Sequence, residues 1–225
     1  MDDIRLIEVK EDILSDNNKL ADEVRQRLQE SRTMLLNLMS SPGSGKTSLI
    51  LHTIEALKET IKLGVIEADI DSVVDTEKIV TSGIPAVQLR TGGFCHLDAT
   101  MVTQGIDAMN VTKFDLVIIE NVGNLVCPAE FDTGAHKNVM ILSVPEGDDK
   151  PLKYPLMFTI CDCLLINKID YMGLSDFDMT ALRKRVLTLN PDITIIEISC
   201  KTGAGIDAWT EWLKKEVTDF KNNSL

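Results

Sequence analysis

Residues 40 to 47 read Ser-Ser-Pro-Gly-Ser-Gly-Lys-Thr, directly after the apolar run Met34-Leu35-Leu36-Asn37-Leu38-Met39. An apolar strand opening into a glycine-rich loop, then a lysine and a hydroxyl residue, then a helix, makes a cradle for phosphates. The backbone amides of Gly43, Ser44 and Gly45 can point at phosphate oxygens. Lys46 adds a point charge, Thr47 offers a hydroxyl to Mg²⁺, and Ser48 follows as the next contact. The positive end of the following helix falls at the same spot. The usual spacing puts glycine first, where this chain has Ser40. An ordinary glycine-rich turn would look similar, but Lys46 and Thr47 both stand where phosphate chemistry needs them.

Two further constellations narrow the ligand. Asn167-Lys168-Ile169-Asp170 follows an apolar run and matches the Asn-Lys-x-Asp guanine signature. A carboxylate at Asp170 can accept from guanine N1 and the exocyclic amino group. Adenine lacks that donor pair, and an unpaired buried carboxylate is costly. The Lys168 stem can pack on the base and Asn167 can brace the loop. Ser199-Cys200-Lys201 resembles the second guanine-contacting loop of GTPases, which adds Ser199 and Lys201. Asp69 and Glu120 end apolar runs and are candidates, with Thr47, for the Mg²⁺ shell. For Asp69 a helix cap or a solvated loop acid is an equal reading. Glu120-x-x-Gly123 looks like a variant of the Asp-x-x-Gly switch. Lys46 supplies charge for phosphoryl transfer. Asp75 or Glu120 could orient water, and no residue stands out as a base, which fits slow intrinsic GTP hydrolysis. The other constellation is Cys95-His96 with Cys127, whose thiolate and imidazole donors suit Zn²⁺ or Ni²⁺. Three donors leave a tetrahedral site open or shared with another subunit. Buried thiols and a helix-capping histidine are the alternative.

The elements that must position these residues alternate. Apolar runs at 34–39, 63–67, 86–89, 116–119, 139–144, 163–167 and 193–198 read as strands. Periodic segments at 45–61, 76–82, 97–109, 152–160, 176–189 and 206–220 read as helices. This order predicts an α/β P-loop NTPase fold, with a mostly parallel central sheet covered by helices on both faces. Loops at the carboxyl ends of the strands should then gather around the ligand. Residues 1–32 read as an amphipathic helical extension, with a helix over 8–30, and 33–225 as the nucleotide-binding domain.

The chain has 225 residues with 44% hydrophobic and 26% charged, which suits one soluble α/β domain. A net charge of −12 argues against non-specific nucleic-acid binding. No apolar run is long enough to span a bilayer, and the charged start lacks a signal-peptide core, so a cytoplasmic location is expected. Five cysteines, an odd number, argue against a disulfide framework.

These motifs together resemble the hydrogenase nickel-incorporation GTPases, the HypB family, within the SIMIBI class of P-loop GTPases. The resemblance runs from about Met34 to Trp212. It rests on Ser40 to Thr47, Thr91-Gly92 with Cys95 to Ala99, Glu120 to Ala129, Glu146-Gly147-Asp148-Asp149 and Asn167 to Asp170. Serine at the first phosphate-loop position is tolerated in that family. The resemblance implies a GTP-dependent homodimer that passes Ni²⁺, with a nickel-chaperone partner, toward a [NiFe]-hydrogenase large-subunit precursor. It also implies metal ligands at Cys95, His96 and Cys127, holding Zn²⁺ or Ni²⁺ near the dimer interface. Some members carry a Cys-rich or His-rich amino-terminal stretch. The first 50 residues here have neither Cys nor His, so nickel is expected through the domain site or from a partner. The sibling urease-accessory GTPases usually carry a Cys-Pro-His motif, which this chain lacks. A small-molecule kinase would need an Arg-rich lid and leaves Asn167 to Asp170 unexplained.

Overall fold

The computed structural model describes residues 9–69 and 74–223. Residues 1–8 of the expected extension lie outside the described residues. In chain order the elements are α1 (Val9–Ser31), β1 (Met34–Ser40), α2 (Lys46–Leu57), β2 (Leu63–Asp69), α3 (Val74–Thr81) and β3 (Ala86–Arg90). Then come α4 (Ala99–Met109), β4 (Leu116–Glu120), α5 (Cys127–Glu130), β5 (Lys137–Ser143), α6 (Lys150–Lys153) and α7 (Pro155–Thr159). The chain closes with β6 (Cys163–Asn167), α8 (Met179–Leu189), β7 (Thr194–Glu197) and α9 (Ile206–Asn223).

The strands form one sheet in the order β3-β2-β4-β1-β5-β6-β7, with every pair parallel. The expected sheet was mostly parallel, and the observed one is entirely so. Strands β1, β4 and β6 are buried along their whole length, as a sheet covered on both faces requires. Met34, Leu36 and Leu38 of β1 face a core with Leu49, Ile50 and Ile54 of α2 and Trp209 and Leu213 of α9. On the other face Leu35 packs with Val24 and Leu28 of α1 and Val102 and Ile106 of α4. Beyond it Met39 packs with Phe158 of α7 and Leu182 and Val186 of α8.

Helix boundaries depart from the periodicity: 45–61, 76–82, 97–109, 176–189 and 206–220 are observed as Lys46–Leu57, Val74–Thr81, Ala99–Met109, Met179–Leu189 and Ile206–Asn223. The expected helix 152–160 is two short pieces, α6 and α7, parted at Tyr154, whose φ of −133° and ψ of 56° are not helical. Pro155 bars the helical region to the residue before it. The helix after the phosphate loop starts at Lys46, because Gly45 takes a left-handed φ of 107°. Asp98 caps α4 by accepting from the Met101 N–H (2.8 Å), so the cap there is a carboxylate and not His96. Among the described residues no helix is long and apolar enough to cross a membrane.

Candidate functional site

The phosphate loop runs from the end of β1 into α2 and is held from behind. Ser44 is buried: its hydroxyl donates to Glu146 Oε2 (2.8 Å), and its carbonyl accepts from Asn167 Nδ2 (2.8 Å). Glu146 Oε2 also accepts from the Ser143 N–H (2.7 Å), so the carboxylate joins the end of β5 to the loop. A Cβ on Gly45 would meet Asn167 Nδ2 at 2.4 Å, which leaves only glycine there. Lys46 Nζ donates to the hydroxyl of Ser40 (3.1 Å), so Ser40 takes part in the cradle as a lysine acceptor. Burial lowers the Lys46 pKa, opposed by Glu120, Glu67, Asp75 and Glu146.

In front of the loop lies a cavity of about 490 Å³ whose wall includes Gly43, Lys46, Thr47, Glu67, Asp75 and Glu120. Glu67 and Glu120 are cross-strand partners on β2 and β4. With Asp75 at the start of α3, they bring three carboxylate oxygens within 4.8 Å of one another. Thr47 donates to Glu120 Oε1 (3.0 Å), while Glu120 Oε2 is buried without a partner. Burial raises the Glu120 pKa to about 7, with repulsion from Glu67 and Asp75 pushing the same way, and burial raises that of Glu67 as well, with repulsion from Asp69 and Asp75. A buried, partnerless carboxylate oxygen beside two more acids and a threonine hydroxyl fits a hard divalent cation such as Mg²⁺. Asp69, one of the expected Mg²⁺ residues, ends β2 and lines the same cavity, but stands outside that cluster. Sequence reasoning names Asp69 and misses Glu67: period two turns both to the same face, and only strand register sets Glu67 opposite Glu120.

A second cavity of about 360 Å³ shares Gly45 and Ser48 with the first and extends along Asn167, Lys168, Asp170 and Lys201. Asn167 Oδ1 accepts from the N–H groups of Lys168 (2.7 Å) and Cys200 (3.1 Å), so one side chain braces the phosphate loop and both base-side loops. Lys168 has a left-handed φ of 62°, held by that bond and by Nζ donating to the Gly43 carbonyl (2.8 Å). Ser199 donates to Asp170 Oδ1 (2.7 Å), and Lys201 Nζ lies 3.7 Å from Oδ2. The Ser199 bond, aided by Lys201, holds Asp170 below the usual carboxylate range. His52 on α2 bonds the Cys200 carbonyl (2.8 Å).

The third group lies beyond Glu120. Cys95, His96 and Cys127 present ligand atoms all within 4.8 Å of one another. The two sulfurs are 3.0 Å apart and in hydrogen-bond contact, and holding its proton toward Cys95 raises the Cys127 pKa. Burial lowers the His96 pKa, which keeps the ring neutral and able to ligate. The His96 ring stacks on Phe131, with centroids 3.9 Å apart, which fixes its plane. Two thiols and a neutral imidazole at this spacing fit a soft-to-borderline cation such as Ni²⁺ or Zn²⁺. Cys127 opens α5, a short helix that the apolar pattern did not reveal.

A parallel α/β sheet with a phosphate loop after its central strand defines a P-loop nucleotide-binding protein. The family model for the CobW/HypB/UreG nucleotide-binding domain matches residues 34–197. The hydrogenase maturation factor HypB of Escherichia coli K12 is 44% identical over 212 residues, covering 94% of this chain and 73% of the relative. The crystal structure of HypB from Helicobacter pylori in complex with nickel is 36% identical with a TM-score of 0.86, covering 91% of this chain and 96% of that one. The hydrogenase maturation factor HypB from Archaeoglobus fulgidus is 38% identical with a TM-score of 0.85, covering 91% and 100%. The chain therefore belongs to the HypB hydrogenase maturation factors.

Proposed function

We propose that this chain is a slow GTPase that takes up nickel and releases it toward a [NiFe]-hydrogenase precursor. One observation carries the reading: Cys95, His96 and Cys127 cluster on and beside the segment that begins at Glu120, in a relative of the nickel-complexed H. pylori protein. The chain's own residues divide the work. Gly43, Ser44, Gly45 and Ser48 face the phosphates, Lys46 neutralises charge between them, and Asn167, Lys168, Asp170, Ser199 and Lys201 receive guanine. Thr47 with Glu67, Asp75 and Glu120, and Asp69 at the rim, would hold Mg²⁺. When bound, that ion offsets charge on the phosphates. Glu120 or Asp75 orients the attacking water. Cys95, His96 and Cys127 bind Ni²⁺, and Zn²⁺ competes for the same soft donors.

The three metal donors leave room for a fourth from a second copy, which supports a GTP-dependent homodimer. A nickel-chaperone partner and the precursor's large subunit complete the proposed route. Five unpaired cysteines suit a cytoplasmic, reducing setting. Isothermal titration with GTP and ATP, with phosphate release and sedimentation on the same samples, tests the reading. GTP binding at least a hundredfold tighter than ATP, slow phosphate release and a GTP-dependent dimer are expected. Equal affinity for ATP, or phosphate passed to an acceptor other than water, defeats it.

A further inference from the structure

Asn121 stands between the two sites and touches the backbone of both. It is fully buried and directly follows Glu120. Its side-chain oxygen accepts from the N–H of Val122 (2.9 Å) in its own loop and from that of Leu97 (3.2 Å), the residue after His96. Its amide donates to Asn37 Oδ1 (3.0 Å) on β1, and Asn37 donates to Asn138 Oδ1 (3.1 Å). Each amide in this row, buried at Asn121 and Asn37 and half-buried at Asn138, is oriented by its partners. A longer contact, Asn124 Nδ2 to the Cys95 carbonyl (3.4 Å), runs beside it.

We propose that Asn121 is the positioning residue that couples nucleotide state to metal affinity, by tying the Cys95–His96 segment to the loop that faces the phosphates. The inference rests on the proposed GTP and nickel sites. Gly123 lies against the phosphate loop: a Cβ there would meet Pro42 Cα, N and Cγ at 3.0 Å. Residues 120–123 therefore abut the phosphate loop closely enough, in the proposed coupling, to register a change in that loop's contacts. Breaking the Asn121–Leu97 bond would leave a buried N–H unpaired, so Leu97 and the two ligands before it follow Asn121. Cys127 does not follow in the same way. Its neighbours Leu125 and Ala129 are packed into the core over β5 and β6, with Met140, Phe158 and Leu164, whereas Leu97 packs over β4 with Ile119 and Val102. A displacement at Asn121 thus changes the spacing of Cys95 and His96 relative to Cys127, which is what sets metal affinity.

The test is nickel affinity of the full chain loaded with GDP or with a non-hydrolysable GTP analogue, in the native sequence and in Asn121→Ala. The native ratio should be at least about fivefold, typical of coupled sites, and that of Asn121→Ala within about twofold. Asn121→Ala keeping the native ratio overturns the inference, because a merely structural role changes stability and leaves the ratio alone. A native ratio of one overturns it too while leaving the GTP and nickel sites standing. Native protein that binds no GTP or no nickel defeats the proposed function first. Hydrogen exchange at the Leu97 amide of the native chain decides the matter where Asn121→Ala does not fold. Exchange should differ at least about fivefold between the two nucleotide states, and equal rates overturn the inference.

Discussion

At the residue scale, the proposed guanine selectivity rests on Asp170 being a charged acceptor in a fixed place. The Ser199 hydroxyl at 2.7 Å aims one oxygen, and Lys201 favours the ionised form. Asp170→Asn replaces an acceptor with a donor opposite the guanine amino group, so that two donors face each other. GTP affinity should fall by about 100-fold or more, and the xanthine analogue, which presents a carbonyl there, should bind in its place. Competition binding with GTP and xanthosine triphosphate checks this; an unchanged GTP preference would place base recognition elsewhere. The same scale explains why Ser40 looked out of place. As the acceptor for Lys46 Nζ it offers a hydroxyl that glycine lacks.

At the element scale, α1 is fastened to the body by more than its apolar stripe. Asn17 donates to the Asp132 carbonyl (2.9 Å) and accepts from the Ala99 N–H (2.9 Å) at the start of α4, and Arg25 pairs with Asp132. Gly134 lets the loop pass close under the helix. Its φ is +76°, and a Cβ would sit 2.6 Å from Val24 Cγ1 and 2.8 Å from the Ala21 carbonyl. Gly134→Ala should cost about 2–4 kcal/mol of stability, from left-handed strain and the clash together. Denaturant unfolding checks this, and a loss under about 1 kcal/mol would mean that α1 is not held there. All seven strands were legible as short apolar runs, unbroken in β1, β4 and β6, which are buried on both faces, and readable even at the half-buried edges β3 and β7. Helix ends were less so: Tyr154 breaks α6 from α7 through Pro155, and α5 is too short to carry a period. The phosphate and base loops could be read because their chemistry is local in sequence. Glu67 and the Ser44–Glu146 bond could not, since strand register and a separation of 102 residues decide them.

At the scale of the whole molecule, stability and nickel binding carry the account. His136 is held neutral in the fold. Its Nδ1 accepts from the Leu35 N–H (3.0 Å), and burial, with Arg25 nearby, lowers its pKa to about 4. A histidine whose folded pKa lies below its ordinary value of 6.5 stabilises the fold fully above pH 6.5. That stability is lost as pH falls toward 4, on the order of 3 kcal/mol in all. Unfolding free energies of the native chain and His136→Asn between those pH values should converge as pH falls; parallel curves would assign the acid sensitivity to other groups. The central claim is that one chain holds nickel through Cys95, His96 and Cys127 beside its GTP site. It is tested most directly by titrating nickel into the GTP-loaded native chain, Cys95→Ala and Cys127→Ala. Saturable binding that weakens at least about tenfold in each variant is predicted, as loss of one of three ligands requires. Nickel affinity unchanged in both variants would contradict it.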